Sequence, residues 1–200
     1  GFAIVQGTPS AAMSMGVSQL QGTLANYQLT VIPLFILMGQ IAFHSGISRR
    51  LFDAAYKWVG HLPGGLAMAT VGACTAFGAI CGSSPATAAT MASVALPEMK
   101  RYKYGMELGA GVVAAGGSLG MLIPPSVVFI VYAVLTEQSI GALFLAGILP
   151  GLLIAVLFCL TILLICLRRP EMGPAGPRAS MGGRLRSLIG VGETVVLFVL

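Results

Sequence analysis

The chain has 200 residues, of which 56% are hydrophobic and only 8% charged, and its net charge is +5. A soluble domain carries about 25% charged residues, so the composition points instead to a membrane protein with room for roughly three to five membrane elements. The basic excess forms no nucleic-acid motif and sits at the edges of apolar runs, where the positive-inside rule accounts for it.

Residues 1–28 are mixed, with Gln6, Pro9, Gln19, Gln21, Asn26 and Gln28. They read as the end of a preceding helix followed by a short amphipathic or loop segment. Gly1 begins without a methionine, a charged n-region or a cleavage signal, so a first helix is expected upstream. Residues 30–43 form the first clear apolar run and predict a crossing between about 29 and 46. His44 near its exit has no acidic neighbour and reads as interfacial. In 48–61, Arg49, Arg50, Asp53, Lys57 and His61 take one set of positions, and Leu51, Phe52, Ala55, Trp58 and Val59 recur at helical spacing on another. This pattern predicts an amphipathic helix in the membrane interface, with Asp53 solvated among its basic neighbours.

Residues 62–97 are 36 positions without a charged side chain. One crossing needs about 20 residues, so the stretch is too long for one and tight for two. Its middle, Gly82-Ser83-Ser84-Pro85-Ala86-Thr87, reads as a break: glycine permits unusual dihedrals and proline fits the first turn of a new helix. The simplest reading is a helical hairpin that enters the membrane, turns at a polar tip and returns. After the charged stretch 98–103, residues 108–136 again run 29 positions without charge. Gly116, Gly117, Gly120 and the pair Pro124-Pro125 predict two half-helices, about 106–115 and 126–137, joined by an unwound linker over 116–126. Residues 138–169 then predict a membrane helix, 170–187 a flexible polar loop, and 188–200 the start of a truncated helix. Cys74, Cys81, Cys159 and Cys166 lie in apolar runs without metal-ligand spacing and read as buried thiols.

All eleven Lys and Arg residues fall in three clusters, 49–57, 100–103 and 168–186. A re-entrant hairpin and two crossings between 104 and 167 put all three on one face, the cytoplasmic one. Two full short crossings over 62–97 would keep the same parity. Broken helices at depth survive only where protein or water surrounds them. Their N-terminal ends attract anions, and their C-terminal ends and freed carbonyls coordinate cations. Gly- and Ser-rich segments also serve close helix packing, but two breaks with hydroxyls and no charge favour a site. No GxSxG or HExxH occurs, and no carboxylate pair lies in the apolar runs. Hydrolase chemistry is therefore not supported, and a channel with a re-entrant pore loop is the weaker transport alternative.

At IPLFILMGQIAFHSGISRRLFDAA, GAICGSSPATAATMASVALPEM and GGSLGMLIPPSVVFIVYA the chain resembles the large membrane subunit of tripartite ATP-independent periplasmic (TRAP) transporters. The resemblance covers about residues 25–170. It implies an all-α polytopic inner-membrane protein, here the N-terminal half of an inverted-repeat, elevator-type symporter. Implied partners are a small membrane subunit, a periplasmic binding protein that delivers a carboxylate such as a dicarboxylate or sugar acid, and the lipid bilayer. Sodium is the implied coupling ion, with no other cofactor and no catalytic residue. By the same resemblance Gly82, Ser83, Ser84 and Thr87 line the sodium and substrate region. Gly116, Gly117, Ser118 and Gly120 supply backbone oxygens, while Pro85, Pro124 and Pro125 hold the breaks. A second hairpin would supply the other half of the site. A divalent-anion/sodium symporter without a binding protein is the related alternative.

Overall fold

The computed structural model describes residues 9–24, 27–177, 182–184, 187 and 192. The expected truncated helix, and the end of the preceding one over 1–8, lie essentially outside the described residues. Among those described the chain is helical throughout, with no strand. The helices are α1 (Pro9–Leu24), α2 (Tyr27–His44), α3 (Ile47–Val59), α4 (Gly65–Cys81), α5 (Ser84–Arg101), α6 (Met106–Leu122), α7 (Val127–Thr136) and α8 (Ile140–Arg168), followed by a 3₁₀ turn at Pro170–Met172.

The core is α4. Thirteen of its 17 residues are buried, because α3, α5, α6 and α8 all pack around it. A helix apolar on every side is stable only when so enclosed. α3 lays Ile47, Leu51, Phe52 and Ala54 inward, while Arg49, Arg50 and Asp53 stay exposed. Asp53 thus lies at the surface among its basic neighbours, as its sequence pattern predicts; desolvation raises its pKa against the lowering pull of Arg49 and Lys57. The outer surface is apolar. On α8, Leu145, Leu149, Leu153, Leu160 and Leu164 are exposed, as expected of a helix whose outer solvent is lipid.

α4 and α5 form a hairpin that closes at its base. The Leu66 N–H, at the start of α4, donates to the Tyr104 hydroxyl, just past the end of α5, at 3.2 Å. The Tyr104 hydroxyl in turn donates to the Pro174 carbonyl at 2.9 Å. Around it, Gly64 N–H donates to Gly173 O at 2.9 Å, Gly105 N–H to Met172 O at 3.0 Å, and Gly176 N–H to Gly60 O at 2.8 Å. Composition alone predicted a free loop from 170 onward. Residues 170–176 are instead a strap, because their backbone groups satisfy the ends of α3, α4 and α6 that helices leave unpaired. The strap also brings the basic residues 57, 100–103 and 168–169 to one end of the molecule.

Helix lengths set the level of the hairpin tip. α4, with 17 residues, rises about 25 Å from the base, whereas α8, with 29 residues, runs about 44 Å. Gly151 lies beside Ile123 at the α6–α7 break: a Cβ on Gly151 would come within 2.8 Å of Ile123 Cγ1. α8 continues past that level toward Ile140 by eleven residues, or about 16 Å.

Candidate functional site

Two interruptions meet at the far end of α4. The first is the hairpin tip. Gly82 ends α4 at φ 58°, in the left-handed region, where a side chain is unfavourable. Its N–H donates to Gly78 O at 2.8 Å. Ser83 is extended and Pro85 occupies the first turn of α5, where its missing N–H costs nothing. The second interruption is the α6–α7 break, with Ile123 and Ser126 both extended. A helix would need N–H donors from residues 124 and 125 to reach the carbonyls of Gly120 and Met121. Both are proline, so those carbonyls are released. The interruptions touch: a Cβ on Gly82 would lie 2.6 Å from Pro125 O.

The unwound linker is shorter than the sequence suggested. α6 is helical through Leu122, so Gly116, Gly117, Ser118 and Gly120 lie inside a helix rather than in an unwound linker over 116–126. Only 123–126 departs from the helix. The glycines have a packing reason. A Cβ on Gly117 would sit 2.6 Å from Ala88 Cβ, one on Gly120 would sit 2.6 Å from Thr87 Oγ1, and one on Gly116 would sit 3.0 Å from Cys74 Sγ. These absences let α6 lie against both arms of the hairpin.

A cavity of about 310 Å³ opens at the junction, lined by Cys81, Gly82, Ser83, Ser84, Pro85, Ala86, Met121, Val127 and Val128, with Ile36, Gly39 and Gln40 of α2 opposite. Four helix ends therefore reach it: the C-terminal ends of α4 and α6 and the N-terminal ends of α5 and α7. Among the described residues no Asp, Glu, Lys, Arg or His lines it. An ion held there would meet backbone dipoles, hydroxyls, the Cys81 thiol and the Gln40 amide, all uncharged side chains.

Of the residues singled out in the sequence, Gly82, Ser83, Ser84 and Pro85 line this cavity. Thr87 does not. It is fully buried, with Oγ1 donating to Ser83 O at 2.8 Å and 3.0 Å from Cys81 Sγ. Ser84 Oγ donates to Ser118 O at 3.2 Å and ties the tip to α6. Gly116, Gly117, Ser118 and Gly120 stand behind the tip, and Pro124 and Pro125 form the break beside it. Sequence reasoning missed two polar residues. Ser126 is fully buried at the break with its hydroxyl unpartnered, although it directly follows the Pro-Pro pair that marks the break. Gln40 lies near the end of the first apolar run, and nothing in its local sequence ties it to residues 81–86. The four cysteines are free, and only Cys159 is incompletely buried. No cluster of His, Cys, Asp and Glu suited to a metal occurs among the described residues.

All-helical over the described residues, with apolar outward faces and two helix interruptions packed together, the chain has the make-up of an integral membrane protein. The profile described as "Tripartite ATP-independent periplasmic transporter, DctM component" matches residues 2–200; the chain belongs to this family. It is 44% identical over 174 residues to the C4-dicarboxylate TRAP transporter large permease protein DctM of Pseudomonas aeruginosa, covering 87% of this chain and 40% of that protein. It is 45% identical over 138 residues to the isethionate TRAP transporter permease protein DctMQ of Oleidesulfovibrio alaskensis, covering 68% and 22%. It is 34% identical over 181 residues to the sialic acid TRAP transporter large permease protein SiaM of Vibrio cholerae, covering 90% and 42%. The chain thus spans less than half the length of these relatives. They are named as transporter permeases, and the family is one of membrane transport subunits and not of enzymes.

Proposed function

We propose that this chain is part of a sodium-coupled symporter that moves a carboxylate-bearing solute across the bacterial inner membrane. The observation that carries the reading is the cavity at the tip, where four helix ends meet without a charged side chain. The N-terminal ends of α5 and α7 offer partial positive charge to a carboxylate. The C-terminal ends of α4 and α6, with the carbonyls freed by Pro124 and Pro125, offer oxygen to sodium. Ser83 and Ser84 add hydroxyls at the boundary between the two regions. The acids in the relatives' names, C4-dicarboxylate and sialic acid, fit such a site.

In this reading the hairpin is re-entrant. Its base lies with the basic residues at the cytoplasmic face, and its tip stops about 16 Å short of the far end of α8, within a hydrocarbon core about 30 Å thick. The α4–α5 hairpin, α6 and α7 move together as the elevator unit, and α3 braces them in the interface. A second repeat, a small membrane subunit and a periplasmic binding protein complete the machine.

The test is uptake by proteoliposomes holding the complete transporter, with the binding protein outside and an imposed sodium gradient. Uptake should saturate, require inward sodium and fail without the binding protein. Ser83→Ala and Ser84→Ala should each raise the sodium or solute requirement about ten- to hundredfold, the worth of one hydrogen bond to a charged group. Uptake indifferent to sodium would refute the reading. Sodium-driven uptake without any binding protein would transfer the chain to the simpler symporter class.

A further inference from the structure

α2 belongs neither to the hairpin nor to the broken helix, yet it forms one wall of the tip cavity. Gly39 makes this approach close: a Cβ there would sit 3.2 Å from Cys81 Cβ and 3.3 Å from Cys81 Cα. With the α2 backbone seated on the last turn of α4, the next residue, Gln40, reaches the cavity. Its companions on that wall, Ile36 and Gly39, are apolar, and so are Met121, Val127 and Val128 further round. Among the described residues Gln40 is therefore the one polar side chain facing the cavity from outside the hairpin. Its main-chain carbonyl accepts from His44 Nδ1 at 2.9 Å, but its side-chain amide has no hydrogen-bond partner among the described residues. An amide brings two N–H donors and an acceptor. Gln40 is exposed at the mouth of the cavity, so its amide groups are free to bond water or a ligand there.

We infer that Gln40 is a specificity-determining residue, its amide N–H donating to an oxygen of the bound anionic solute from the wall opposite the hairpin tip. The inference rests on the carboxylate-symport reading above. Its chemistry is complementary to the tip. The helix ends supply field without shape, whereas a neutral amide on a separate element fixes where an oxygen must lie. Being uncharged, Gln40 adds directional bonding without competing with sodium for the solute's charge.

The experiment uses the complete transporter in proteoliposomes with its binding protein. Succinate, isethionate and N-acetylneuraminate are the probes, and KM, kcat and the sodium requirement are the readouts. Gln40→Glu keeps the size and planar shape of the amide, whereas Gln40→Lys lengthens the side chain, so a packing role suffers more from Gln40→Lys than from Gln40→Glu. A solute-facing role reverses that order. Gln40→Glu should raise KM for the transported anion about ten- to hundredfold, Gln40→Lys should leave it within about threefold, and the sodium requirement should hold in both. Equal damage from the two variants, greater damage from Gln40→Lys, or no change from either overturns the inference. Should a charged variant fail to accumulate in the membrane, Gln40→Met decides. It keeps the length and loses the donors, so a severalfold rise in KM at unchanged sodium requirement supports the assignment, and an unchanged KM overturns it. If the wild type takes up none of the three anions under a sodium gradient, the symport reading itself fails and the inference falls with it.

Discussion

Gly117→Ala tests whether the glycines of α6 exist for close packing. The added methyl would lie 2.6 Å from Ala88 Cβ, 3.0 Å from Ala88 Cα and 3.2 Å from Ala88 N. No flexible side-chain end is available to yield, so α5 or α6 must shift. Overpacking of this kind costs about 1–3 kcal/mol, while the better helix propensity of alanine returns about 1 kcal/mol. Gly111→Ala is the internal control. It lies on the same helix, and nothing stands within 4 Å of its Cβ position, so it receives the propensity gain alone. The propensity term cancels in the difference between the two variants, which leaves the clash of about 1–3 kcal/mol. The assay is the apparent midpoint of thermal unfolding of detergent-purified protein at one fixed scan rate, since such unfolding is often irreversible. For a chain of this size the difference corresponds to about 2–4 °C per kcal/mol. Gly117→Ala should melt below wild type and Gly111→Ala at or above it. If Gly117→Ala melts at or above Gly111→Ala, the close approach of α5 and α6 is refuted.

Two further outcomes follow from the base of the hairpin. Tyr104→Phe removes a hydroxyl that both accepts from Leu66 N–H and donates to Pro174 O; leaving these backbone groups unpaired should cost about 1–3 kcal/mol, read as a lower unfolding midpoint. Single cysteines at Arg49, Lys103 and Arg168, in a background without the native four, should all react with an impermeant thiol reagent from the cytoplasmic side. Periplasmic labelling at Lys103 alone would show that residues 62–97 cross the membrane once.

The sequence was most legible where a residue type has one structural use. Gly82 and Pro85 bracket the tip because a left-handed position and a helix first turn suit those residues, and the observed break falls between them. Charge-free length likewise located α8. It was least legible at Gly116, Gly117 and Gly120. In sequence, a glycine that ends a helix and a glycine that lets another helix approach look alike; only the neighbours Cys74, Ala88 and Thr87, up to 42 positions away, tell them apart. Proline, not glycine, ends α6. The same ambiguity hid the strap: Pro170, Gly173, Pro174 and Gly176 read as loop composition, and their ordering comes from partners at Gly60, Gly64 and Tyr104. Thr87 is a hydroxyl near a break, and only the structure shows that it is fully buried behind the tip, donating to the Ser83 carbonyl instead of lining the cavity. Gln40 was missed for the opposite reason, since its relation to the tip exists only in three dimensions.

The strap also sets an order of assembly during synthesis. Tyr104 bridges Leu66, 38 residues earlier, and Pro174, 70 residues later. When α4 and α5 leave the ribosome, only one of these two bonds can form. At roughly 5–20 residues per second, the remaining 70 residues take about 4–14 s. Throughout that interval the Leu66–Tyr104 bond alone closes the base of the hairpin. Newly made α4 and α5 are therefore exposed to mispairing with other nascent helices until α8 is in place, and a slow codon run or a pause between Tyr104 and Pro174 would lengthen that window.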